Sequence, residues 1–138
     1  MGSSAVVRSL AAFFAATLLA GCVSVSVSGC PAGQPIVSDT LYFGASNPDA
    51  AVNEAEWSDF LSVAVTPRFP DGFTSWPAGG QWKSSDGTIL RERSHVLSIV
   101  HPPGATADAA IRGIIDEYKL RFHQESVLRV SSNACATF

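Results

Sequence analysis

The chain has 138 residues, 46% of them apolar and 15% charged, with a formal net charge of −3. That length supports one domain with a core, not two. An acidic balance with no run of Lys or Arg argues against a nucleic-acid partner, and three cysteines are too few for a disulfide scaffold.

The N-terminus carries one positive charge, Arg8, and then an apolar run over residues 10–20. This run is too short to span a bilayer, which needs about 20 residues, but it has the length of a signal-peptide apolar region. It leads into Leu19-Ala20-Gly21-Cys22, which looks like the bacterial lipobox. That pattern implies cleavage after residue 21 and a lipidated Cys22, with several acyl chains giving stable residence on a membrane surface. The chain is therefore expected in the cell envelope, anchored on the extracytoplasmic side. Val23 stands where an Asp would signal inner-membrane retention in Gram-negative lipoproteins, which favours the outer membrane. N-myristoylation is excluded, because Val6 occupies the position that needs Ser or Thr.

Setting Cys22 aside leaves Cys30 and Cys135 in an oxidising compartment, where a Cys30–Cys135 disulfide is the expected pairing. No metal site is expected, since the sequence has neither C-x-x-C nor H-E-x-x-H and its three histidines are dispersed. Residues 22–35 read as the lipidated cysteine and a tether, with Gly29, Pro31, Gly33 and Pro35 opposing regular structure.

The folded part, residues 36–138, begins with β-branched and aromatic residues over 36–44, a first strand. Asn53 as N-cap with Glu56 three residues on signals a helix start. Trp57, Phe60, Leu61 and Ala64 then make one apolar stripe that Pro67 stops. A second strand is expected over 73–83, on an edge or bulged because of Pro77, Gly79 and Gly80. Asp86-Gly87 signals a hairpin into a long third strand over 88–101, closed by Pro102-Pro103-Gly104. Thr106 or Asp108 caps a second helix, with Ile111, Ile114, Ile115, Tyr118 and Phe122 at helical spacing. Asp108/Arg112 and Glu117/Arg121 are its favourable i, i+4 pairs. Residues 126–138 form a fourth strand. The order βαββαβ is that of the ferredoxin-like, split-βαβ fold, α+β, with two helices on one face of a four-stranded antiparallel sheet. In that topology the end of the last strand lies beside the start of the first, which brings Cys135 near Cys30.

Several segments resemble one family of small bacterial secreted proteins, domain of unknown function 3574. They include residues 40–44, 54–61 and 96–102, with Val65-Thr-Pro-Arg-Phe-Pro-Asp-Gly-Phe73 and Gln124-Glu-Ser-Val-Leu-Arg129 the most specific. The resemblance covers about residues 38–138 and implies no particular activity. It also implies that His123 replaces a Gly and His95 a Lys of the relatives, which makes both histidines poor candidates for shared chemistry.

The candidate ligand-binding residues follow from strand pairing. A two-residue Asp86-Gly87 turn sets Trp82 opposite Arg91, an arrangement suited to a cation–π contact. Placing Cys135 opposite Ile36 sets Arg129 opposite Tyr42. With Arg93 and His95, this pair would form a cationic–aromatic patch for a carboxylate or phosphate ligand on the sheet face away from the helices. Arg68 and Asp71 are expected to pair across Pro70. No nucleophile elbow, dinucleotide or phosphate-loop motif occurs, so no catalytic residue and no cofactor is assigned. The reading is a non-catalytic envelope lipoprotein that binds a small ligand or an envelope protein. The alternatives are a small cofactor-free enzyme of the α+β-barrel type using Tyr42, Arg129 and Arg93, and an assembly protein whose homodimer buries the same sheet face.

Overall fold

A computed structural model describes residues 29–46 and 51–138. The expected signal peptide, the expected lipidated Cys22 and the first half of the expected tether, residues 22–28, lie outside these residues. The element order is β1 (Gln34–Gly44), α1 (Glu54–Phe60), β2 (Thr74–Lys83), β3 (Ile89–His101), α2 (Ala105–Phe122) and β4 (Val127–Ala136). The four strands form one antiparallel sheet in the order β2-β3-β1-β4, the ferredoxin-like arrangement expected from the sequence. The first strand starts at Gln34, two residues earlier than expected, because Gln34 and Pro35 pair with Ala136 and Cys135. Cys30 and Cys135 are joined by a disulfide with Cα atoms 5.5 Å apart.

The helices assemble as their polar residues dictate. Asn53 Oδ1 accepts from the Ala55 and Glu56 backbone N–H groups, and Glu56 accepts in return from the Asn53 N–H. This capping box satisfies the donors that a helix start leaves free. Helix α1 continues into a π-helical turn, Leu61–Val65, closed by Thr66, whose N–H and hydroxyl both donate to the Leu61 carbonyl. At α2 the N-cap is Gly104, with no side-chain cap. Thr106 and Asp108 both lie inside the helix, and Asp108 instead pairs with Arg112 and Arg129. The expected Glu117/Arg121 pair is not made. Glu117 binds Arg68 and Arg121 binds Asp59, so both join α2 to the α1 segment, and Arg68 is drawn away from Asp71.

Both helices cover one sheet face. Leu41, Phe43, Leu97 and Ile99 from the strands meet Trp57, Phe60, Ile111, Ile114, Tyr118 and Phe122 from the helices. Phe43 lies 4.6 Å from Tyr118 and 5.2 Å from Trp57, ring centre to ring centre. Such tilted contacts add to area burial. Because side chains alternate along a strand, the even-numbered residues of all four strands face the other way. On that open face Tyr42, Trp76, Trp82, Leu90, Leu128 and Val130 are between 42% and 53% exposed. Val96 is buried there all the same, between its cross-strand neighbours Tyr42 and Trp76. Among the described residues no helix is long and apolar enough to cross a membrane.

Candidate functional site

The last residue of β1, Gly44, sits where the open face meets the segment following α2. Its carbonyl accepts a 2.8 Å hydrogen bond from the Tyr118 hydroxyl. Burial, helped by the nearby Glu92 and Glu56 charges, pushes that hydroxyl's pKa up, so Tyr118 remains a donor and fixes the end of the strand. On the other side of Gly44 a cleft of about 420 Å³ opens between the β1 end, the β2–β3 hairpin and residues 123–126. Tyr42, Trp82, Leu90 and Leu128 supply its apolar walls, and Ala78, Gly79 and Gly80 leave part of its lining as bare backbone.

Two of the polar side chains lining the cleft meet at Gly44. Glu92 Oε1 and Gln124 Oε1 lie 3.0 and 3.2 Å from the point a Cβ on Gly44 would occupy, and Glu92 Oε2 lies 3.2 Å from it. The amide of Gln124 is oriented by its own donors, since Nε2 gives hydrogen bonds to the carbonyls of Ser46 at 3.1 Å and Phe122 at 3.5 Å. Its oxygen is thereby turned towards the space over Gly44. Burial pushes the Glu92 carboxyl's pKa above the usual range, against a hydrogen bond from the Ser46 backbone. Among the described residues no ion pair involves Glu92.

The structure separates the residues that the sequence grouped. The hairpin loop has three residues, 85–87, with Gly87 at φ 90° and Ser84 bonded to Thr88, the geometry of a turn followed by a left-handed residue. Trp82 therefore faces Leu90, and Arg91 faces Gln81, so the Trp82–Arg91 stack does not form. The β1–β4 register is likewise shifted by one. Pro35 pairs with Cys135, Tyr42 with Leu128 and Leu41 with Arg129. A one-residue shift reverses the face of a side chain, and Arg129 points under the helices.

There its guanidinium grips Asp39 with two 2.8 Å bonds, Nε to Oδ1 and Nη2 to Oδ2, and reaches Asp108 at 2.6 Å. His101 Nε2 lies 2.8 Å from Asp39 Oδ2, and the Ser131 hydroxyl also donates to Asp39. His95 is buried on the helix side and stacks flat on Trp57, 4.5 Å between ring centres. Desolvation lowers its pKa, with Glu54 opposing and Arg93 assisting. Arg93 shares that face in a smaller hollow of about 190 Å³ with His95 and Glu54. The expected cationic patch is thus not assembled: Tyr42 and Trp82 line the cleft, while Arg129, Arg93, His95 and Arg91 lie on the opposite face.

Glu92, Gln124 and Gly44 were not singled out by sequence reasoning. One signal was available: Glu92 is the only charged residue at an even-numbered strand position, hence the only charge that the strands present on the open face. Among the described residues no group of three or more His, Cys, Asp or Glu is placed to hold a metal ion.

Residues 38–138 match a family model described as "Protein of unknown function (DUF3574)". No curated protein matches the sequence. Among solved structures, a phage SAM lyase in complex with S-methyl-5'-thioadenosine superposes with a TM-score of 0.58 at 16% identity, covering 80% of this chain and 97% of that one. CutA from Synechococcus elongatus PCC7942 gives a TM-score of 0.52 at 13% identity, covering 75% and 80%. At these identities the likeness is one of fold, and a fold alone does not specify chemistry.

Proposed function

The chain belongs to the DUF3574 family of proteins of unknown function, and we propose that it is a non-catalytic domain that binds a small organic ligand in the cleft at Gly44. The observation that carries this reading is the cleft itself. It is a largely apolar, partly aromatic hollow of about 420 Å³, within the size range of small-molecule sites, and two of its polar side chains, Glu92 and Gln124, converge on one point. That one solved protein of this fold holds a nucleoside thioether supports the capacity of the architecture to carry a small ligand, without naming this one.

We further propose that the domain is held at the cell envelope by lipid on Cys22. The apolar run over 10–20 and Leu19-Ala20-Gly21-Cys22 support this, as does a Cys30–Cys135 disulfide, a bond that persists in oxidising compartments.

Native mass spectrometry of the protein released from envelopes tests both halves. The expected result is a chain beginning at an acylated Cys22 and carrying a small molecule that the Tyr42→Ala/Trp82→Ala double variant loses. A chain retaining residues 1–21 overturns the envelope reading. A retained molecule unaffected by the double variant, or none at all in the wild type, overturns the cleft reading.

A further inference from the structure

The polar side-chain atoms that converge over Gly44 share one property: they are acceptors. The Glu92 carboxylate and Gln124 Oε1 converge over Gly44, and the donors of the Gln124 amide are already engaged with backbone carbonyls. Two acceptors directed at one point leave a place between them that a donor satisfies. A carboxylate without an ion-pair partner, partly removed from water, is the environment in which a bound cation gains most. The surrounding walls include the faces of Tyr42 and Trp82, which attract a cation held near a ring. An anionic ligand, by contrast, would meet Glu92 and Glu125 in a cleft lined by no Lys or Arg.

We infer that the ligand is an organic cation, a primary ammonium or amidinium on an apolar body, with its N–H donors on Glu92 and Gln124 and its body against Tyr42, Trp82 and Leu128. This inference rests on the cleft reading above and adds the chemical class of the ligand. Gly44 belongs to the recognition, because any side chain there would stand among the three oxygens that receive the cation.

Three probes with the same phenylethyl body separate the possibilities: 2-phenylethylamine, 2-phenylethanol and 3-phenylpropionate. They are titrated into the full chain, with the backbone amides of Gly44, Gly80 and Ser126 and the Trp82 indole followed by NMR. The amine is expected to bind at least about 10-fold more tightly than the alcohol, as a charge-assisted contact requires, and the propionate more weakly than either. In Glu92→Gln the amine and alcohol should converge to within about 2-fold while the alcohol's affinity is unchanged. An alcohol or carboxylate that binds the cleft as tightly as the amine overturns the cationic class and leaves the cleft reading standing. The same holds if the amine preference survives in Glu92→Gln. If none of the three shifts these resonances at roughly 10 mM, a permissive limit for fragments of this size, the cleft reading fails with it.

Discussion

Asp39 is fully buried, yet four hydrogen bonds from three residues, Arg129, His101 and Ser131, converge on its carboxylate. Desolvation alone would raise its pKa, but these bonds and the Arg129 charge outweigh it and hold the carboxyl at about 2, from an ordinary 3.8. A depressed acid contributes its full stabilisation above the unfolded value and loses it as pH falls through the folded one. The folded domain should therefore keep constant stability from this group above about pH 4 and lose about 2 kcal/mol of it on acidification towards pH 2. Urea unfolding at a series of pH values measures this, and Asp39→Asn should flatten the curve in that window while lowering stability at neutral pH by roughly 3 kcal/mol. A wild-type curve already flat between pH 4 and 2 would refute the assignment. His123, exposed at the end of α2, shows the opposite economy. It holds a left-handed backbone with φ 53° and ψ 40°, a conformation that favours glycine. His123→Gly should raise stability by about 0.5–1 kcal/mol, less whatever the more flexible unfolded chain takes back, read as a higher thermal midpoint.

At the scale of elements, α1 depends on its start. The helix proper is only seven residues long and too short to form alone, so its cap and its packed face both matter. Asn53→Ala removes the acceptor for two backbone donors and should cost about 1 kcal/mol by chemical denaturation. Asn53→Ser should restore most of that loss, which separates capping from a general effect of truncation. The cap was legible in the sequence because it is local: Asn53 and Glu56 are three residues apart, followed by the stripe of Trp57 and Phe60. The order and pairing of the strands were legible for a similar reason, since each alternates with a helix or a short turn. Register was not. Asp86-Gly87 fits a two-residue loop or the last two positions of a three-residue loop equally well. Both put Gly87 at positive φ, and only the second leaves Asp86 outside the left-handed region, where it is found. In β4, residues 127–136 lack the apolar–polar alternation that would have fixed their face. One residue of slip in each place moved Arg91 and Arg129 off the open face and left Glu92 as the only charge that its strands present there. The binding chemistry expected there thus changed from anion to cation.

For the whole molecule, the disulfide and the cleft lie at opposite ends of the sheet. Chain entry and Cys30 adjoin the start of β1 at Gln34, whereas the cleft surrounds its last residue, Gly44. Eleven residues of strand at about 3.3 Å each put roughly 35 Å between them. Under the proposed attachment through Cys22, the cleft would lie at the end of the sheet far from the attached surface. The two ends should respond independently to mutation. Cys30→Ser/Cys135→Ser removes a bridge between residues 105 positions apart and should lower stability by about 2–5 kcal/mol, seen as an earlier urea midpoint that reducing agent reproduces in the wild type. The amide shifts of Gly44, Gly80 and Ser126 and the affinity for 2-phenylethylamine should stay as they were, provided binding is measured well below the new midpoint. Coupling between them, with the double variant weakening amine binding several-fold while still folded, would mean that the β1–β4 pairing transmits strain along the sheet. The position of Gly44 would then be set by the disulfide as well as by its bond from Tyr118.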